Sequence, residues 1–183
     1  MDAAPLRGQI LVAGPTMLDP NFARTVVLIA EHSDEGAMGV ILNRPSEAGV
    51  ADAVPALADV VDGDDLVYVG GPVQPAALTV LAEFDDRDEA ATIVFSNIGF
   101  ARGDADLSVL AASTRRARVY AGYAGWTTGQ LEAELERDDW IVTSPQPEDV
   151  FSEAGIGLWA AVLRRMGGRY ELIARMPLDP SVN

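Results

Sequence analysis

The chain has 183 residues, no cysteine, one histidine, and 13 basic against 28 acidic residues, for a formal net charge of −15. Without Cys there are no disulfides, thiolate nucleophiles, iron–sulfur clusters or cysteine zinc sites, and because every basic residue is Arg there is no Schiff-base or phosphate-loop lysine. The acidic balance disfavours nucleic acid and anionic membranes as direct partners, unless Arg115, Arg116 and Arg118 form a local basic patch.

Gln9–Ala13 reads as a short apolar strand. After the loop Gly14–Leu18, Asp19 and Pro20 have the pairing of an N-cap and a first helical residue, opening a brief turn through Ala23. Thr25–Glu31 is β-branched and apolar, a buried strand. Ser33–Gly36 is a hairpin turn, and Ala37–Leu42 returns as its partner. Val50–Val61 has helical spacing that Pro55 limits or kinks. The turn Asp62–Asp65 leads to a strand at Leu66–Val69, which ends in Gly70-Gly71-Pro72. Ala77–Phe84 and Ala91–Phe95 read as two strands joined by the acidic loop Asp85–Glu89. A helix over Asp104–Ser113 is capped by Asp104, and a strand over Val119–Tyr123 follows. Thr128–Asp138 is the clearest helix; Trp140–Thr143 is a last strand and Glu153–Met166 a last long helix. Hairpins and helices mix without regular βαβ alternation, so the expected class is α+β: one curved, mostly antiparallel sheet with helices around it. The length fits one domain spanning residues 1–183. Met1–Pro5 lacks the features of a signal peptide. The apolar runs are too short to cross a bilayer, and the expected location is the cytoplasm.

Within Gly122–Glu132, Thr127 can cap the following helix while Gln130 reaches back to complete a capping box, and Trp126 with Leu131 has the spacing of a hydrophobic staple. That account leaves open why both Gly125 and Gly129 are needed; an anion at the helix N-terminus is the functional alternative. Gly70-Gly71-Pro72 reads as a tight turn, with a backbone nest at a cleft edge as the alternative. His32 stands at a strand end beside Glu31, where it serves as a hydrogen-bonded structural residue or as a general base. Asn43 is expected near Thr25 across the hairpin. The acidic run on the helix around Glu132–Asp138 reads as a solvated face. No Gly-x-Ser-x-Gly elbow supplies a hydrolase nucleophile.

Four blocks in order resemble the AlgH/YqgE family of bacterial proteins. They are Pro15-x-Met17-x-Asp19-Pro20-x-Phe22; Glu31-His32 with Gly36–Gly39 and Asn43-x-Pro45; Gly70-Gly71-Pro72-Val73; and Gly122–Trp126 with Gly129–Glu132. The similarity runs over about residues 8–167. It implies an α+β fold with a bifurcated, partly barrel-like sheet flanked by helices, and no settled activity. The family name carries an association with transcriptional control of exopolysaccharide synthesis. Where members often have Leu-His after the Gly-Gly-Pro block, this chain has Leu81-Ala82.

Composition and motifs together point to a non-catalytic binding or regulatory protein with a protein or small-molecule partner, no cofactor and no metal. Its groove would be lined by His32, Asn43, Gly70, Gly71, Trp126, Gln130 and Glu134. The alternatives are an enzyme acting on a phosphorylated small molecule or nucleotide, with Glu132 or Glu134 holding Mg²⁺, and a regulator of transcription acting indirectly.

Overall fold

The structure is a computed structural model and describes residues 5–178. Among them ten strands form one mostly antiparallel sheet that does not close, flanked by helices. β1 (Ile10–Ala13), β2 (Val26–Ser33) and β3 (Gly36–Ile41) run antiparallel in sequence. Ile10–Ala13 and Val26–Ala30 are all buried, which explains their unbroken apolar composition. Asp34 and Glu35 make the hairpin turn, and the register slips at Ala30. The turn at Asp19 forms as expected: its side chain accepts the Asn21 N–H, and its carbonyl accepts those of Phe22 and Ala23.

β4 (Pro45–Gly49) pairs only with β5 (Leu66–Val69). Its Pro-Ser-Glu-Ala-Gly composition carries no strand propensity, so nothing in it reads as a strand. The helix expected over Val50–Val61 is α1 (Val50–Ala53) and then a single 3₁₀ turn, because the chain breaks ahead of Pro55. β6 (Val73–Phe84) and β9 (Thr114–Thr127) form the long central pair. Both extend beyond the expected strands. β7 (Thr92–Phe95) is not a neighbour of β6: β8 (Ile98–Phe100) lies between them and pairs with both. α2 (Leu107–Ser113) is capped by Asp106, not Asp104, through the Ser108 and Val109 N–H groups. Those backbone bonds hold the Asp106 carboxyl below its usual range.

The bifurcation is built on β9. One edge carries β6; the other carries β3 along Ala124–Thr127 and β5, the one parallel neighbour, at Tyr120–Ala121. Between β5 and β6 the chain passes over β9 at Gly70-Gly71. A Cβ at Gly71 would overlap the Tyr123 carbonyl, and one at Gly70 the Gly122 carbonyl. The glycines therefore permit direct backbone-on-backbone contact. The Gly70 carbonyl also accepts the Ile41 N–H at 2.8 Å, which fixes the fork.

The far edge of the sheet curls back toward its start. Arg7 donates through Nε to the Ala30 carbonyl (2.9 Å) and through its terminal nitrogen to Thr92 Oγ1 (2.8 Å) and the Ile93 carbonyl (2.6 Å). One guanidinium thus ties the β2 irregularity to β7 where no ladder joins them, giving the partly barrel-like shape. β10 (Trp140–Thr143) pairs with β1 on the opposite side. α5 (Gly157–Met166) buries Leu158, Trp159, Val162 and Leu163, and Trp159 Nε1 donates to the Ala13 carbonyl. At about 1.5–3 kcal/mol for each large side chain, this face fastens the helix to the sheet. Ahead of it, α4 (Pro147–Val150) carries the buried Asp149, which holds Arg165 bidentately at 2.8 Å.

Candidate functional site

α3 (Gln130–Glu136) leaves the end of β9 with Gly129 as its N-cap, in a left-handed conformation (φ +74°) that suits glycine. The helix therefore starts later than a Thr127 cap requires. The reach-back by Gln130 is present even so: its Oε1 accepts the Thr127 N–H at 3.1 Å. Trp126 and Leu131 are both buried in the main core. Trp126 packs with Phe22 (ring centroids 6.3 Å apart) and Trp140 (6.1 Å), which also meet each other at 5.8 Å. Glu134 Oε2 accepts both indole N–H groups, from Trp126 at 2.9 Å and Trp140 at 2.8 Å, while its Oε1 accepts the Gln130 amide at 3.0 Å. Two indole donors that burial would leave unsatisfied share one carboxylate.

His32 is locked in the same way. Nδ1 accepts the Leu6 N–H at 2.9 Å, and Nε2 meets Glu132 Oε1 at 2.7 Å. A ring nitrogen that accepts an amide proton carries none, so the proton sits on Nε2 and is donated to Glu132. The ring is 6% exposed. This bond holds the Glu132 carboxyl below the ordinary glutamate range. Asn43 lies at the other end of the hairpin, buried, with Oδ1 accepting the Val26 N–H and its amide donating to the Arg24 carbonyl, so that it brackets Thr25.

The seven residues expected to line one groove thus fall into three places. His32, Trp126, Gln130 and Glu134 surround α3, Asn43 sits beneath the start of β2, and Gly70 and Gly71 form the crossing over β9. Their polar atoms are turned to one another and to the backbone. Glu132 and Glu134 hold His32 and two tryptophans, and among the described residues no three His, Asp or Glu side chains gather as a metal-binding set.

The open surface lies beside these locks. Across the sheet Glu31 pairs with Met38 and Met38 with Gly125, so the three share a face. Gly125 is exposed and extended, and a Cβ there would meet only Tyr123 and Val73 side-chain atoms at 3.6–3.7 Å, an ordinary contact. No backbone requirement calls for glycine at that position. Its missing side chain opens a shallow hollow lined by Ala37, Met38, Val73, Tyr123, Trp126 and Thr127. On the other side of Met38 lies a cleft of about 450 Å³, walled by Ala30, Leu78, Val80, Phe100 and Leu110, with Glu31 and Arg102 among its lining residues. Every residue of the hollow belongs to or adjoins a signature block, and it meets the cleft at Met38.

The AlgH-like family model, DUF179, matches residues 10–171. UPF0301 proteins of Mycolicibacterium smegmatis and Mycobacterium tuberculosis are each 42% identical, over 96% of this chain and 90% of theirs. The chain belongs to the AlgH-like family. Among solved structures, a crystal structure of a Corynebacterium diphtheriae protein superposes with a TM-score of 0.87 at 29% identity, covering 96% of this chain and 95% of that one. The solution structure of the AlgH protein from Pseudomonas aeruginosa gives 0.70 at 30% identity, covering 97% of each.

In this AlgH-like chain Leu81 and Ala82 are fully buried in β6. The three arginines weighed as a basic patch are all engaged. Arg115 pairs with Asp85 (2.9 Å) and Arg116 with Glu83 (2.8 Å). Arg118 is buried over the Tyr68 ring (4.0 Å) and donates to the carbonyls of Val150, Phe151 and Ser152 at the end of α4. The Met38 surface was not singled out from sequence. The signal that could have found it is the hairpin register, which puts Glu31, Met38 and Gly125 in one row once β3 is paired with β9.

Proposed function

We propose that this AlgH-like chain is a non-catalytic binding protein of the bacterial cytoplasm, which takes its ligand on the face centred on Met38 and regulates through that contact. One observation carries the reading: the signature side chains able to do chemistry are engaged internally, whereas Gly125, which no backbone constraint requires, leaves room beside Met38. Glycine within a strand commonly marks the close approach of a ligand or another backbone. A general-base role for His32 is disfavoured, because the acceptor nitrogen is already occupied by the Leu6 N–H. An indirect regulatory route is favoured over contact with nucleic acid, because Arg115, Arg116 and Arg118 are neutralised or buried. The cysteine-free composition suits a reducing compartment.

The test is to titrate the ¹⁵N-labelled chain with pooled metabolites sorted as amines, carboxylates and phosphate esters, and to recover each pool afterwards by mass spectrometry. At least one pool should shift amides around Met38 and Gly125 and be recovered unchanged. Turnover of any pool that disappears in His32→Ala contradicts the reading.

A further inference from the structure

Among the described residues the forked sheet has three edge strands, and two of them are protected. β4 is led by Pro45, carries Glu47 and pairs irregularly with β5. β7 slips in register after Ile93, and Arg7 donates to the Thr92 hydroxyl and the Ile93 carbonyl at its edge. Proline, charge, bulges, cover and shortness are what keep an edge from pairing with another chain. β10 is as short as β7 and has none of the other four. It reads Trp-Ile-Val-Thr, and its ladder to β1 runs without a slip.

The hydrogen-bond phase shows which β10 groups are free. Gly14 donates to the Asp139 carbonyl at 2.7 Å, whereas Ala13 donates to Thr25, ahead of β2. The alternate residues Ile10 and Val12 therefore bond to β10, opposite Thr143 and Ile141. Trp140, Val142 and Ser144 turn their N–H and C=O groups away from the sheet, and among the described residues those groups make no hydrogen bond. Trp140 is buried, Val142 half-buried and Ser144 exposed, so the open stretch is Val142–Ser144.

We propose that β10 is a strand-addition site, and that its occupant is an extended segment of another, non-acidic protein. Unpaired backbone donors and acceptors in a row are complemented by a second extended backbone, which adds main-chain bonds at Val142 and Ser144. A second copy is the weaker occupant: each copy carries −15, and like-charged chains repel, whereas a neutral or basic partner meets no such barrier. β10 lies three strands from Met38 in the sheet, so its occupancy is separate from that of the Met38 face.

The experiment is amide hydrogen exchange on the full chain, with and without the peptide Arg-Thr-Val-Thr-Ile-Thr-Arg at millimolar concentration. In the free chain Val142 and Ser144 should exchange at least about tenfold faster than Ile141 and Thr143, which bond to β1. The peptide should slow Val142 and Ser144 by about threefold or more. Its backbone-N-methylated analogue, which lacks donors, should not, and a version with Glu in place of both Arg should protect less. Val142→Pro puts its ring at an outward N–H, where no bond to β1 is lost. It should abolish protection of Ser144 and leave exchange at Ile10 and Val12 as in wild type. Slow exchange of Val142 and Ser144 in the free chain at every concentration would overturn the proposal, since the edge would already be covered. Protection that rises with chain concentration alone would replace the partner with a second copy. No protection by the peptide, equal protection by either altered version, or protection that survives Val142→Pro would also overturn it. Should that variant not fold, the wild-type and N-methylated arms decide.

Discussion

Two neighbouring regions of this chain draw on the same sequence blocks and treat them in opposite ways. Around α3, each polar signature atom has a partner: two indoles on Glu134, an imidazole between Leu6 and Glu132, an amide between Thr127 and Glu134. On the Met38 face, a few residues along the same strands, Glu31 is unpaired among the described residues and Gly125 has no steric reason to be glycine. The contrast separates residues that hold the fold from residues that leave room for something else. It also shows why chemically rich residue types mislead here: the lone histidine and the tryptophan belong to the lock, and the open surface is made of Met, Leu, Phe and a glycine.

The largest effect that would sharpen the contrast is expected at the strand crossing. Gly71→Ala places a Cβ into the Tyr123 carbonyl at a positive φ, and urea unfolding should show a loss of more than about 3 kcal/mol or no folded protein. Near-wild-type stability would mean that the crossing is loose. Next comes the lock itself. Glu134→Ala leaves two buried indole N–H groups without an acceptor, and should lower unfolding free energy by about 2–4 kcal/mol. A loss below about 1 kcal/mol would place Glu134 outside the lock.

A smaller effect is expected in the pH dependence. The Glu132 carboxyl is depressed in the folded state, first by the His32 hydrogen bond. A depressed carboxylate adds stability above its unfolded pKa, and that contribution is lost as pH falls through the folded value. The wild type should therefore lose this contribution below about pH 4.5, and the acid limb of His32→Ala should be shallower there. Glu132 is 38% exposed, so the difference is a modest one. Identical acid limbs would break the link between the two side chains. Smallest of all, Glu31→Gln should leave stability within about 0.5 kcal/mol of wild type, because it removes an exposed group that holds no partner among the described residues.

Much of the fold was legible because its core strands are apolar throughout or carry clear turns. β1, β2, β3, β5 and β10 lie where composition puts them, and Pro55 breaks its helix as its ring demands. What stayed hidden had weak local signals. β4 is polar and proline-led, β8 is three residues long, and the first residues of β9, Thr-Arg-Arg, are held only by their neighbour β6. The capping residues slipped by two positions at Asp106 and Gly129, since several Asp, Thr and Gly stand close together in each segment. The aromatic lock was half visible in the Trp126–Leu131 spacing. Glu134 as the acceptor of two indoles was not, because Trp140 joins it only through tertiary packing. The AlgH-like resemblance pointed to the bifurcated sheet, and the crossing at Gly70-Gly71 supplies its physical cause.

Gly125→Leu tests the central claim most directly, with the unfolding midpoint and the amide shifts of the pooled-metabolite titration measured on one sample. The strand there is extended and open, so a side chain fits, and the midpoint should match wild type or rise slightly. The isobutyl group should fill the hollow beside Met38 and weaken or abolish binding on that face. Collapse of the fold, with binding retained in whatever still folds, would contradict the account: Gly125 would then be one more architectural glycine, and the Met38 face an ordinary surface.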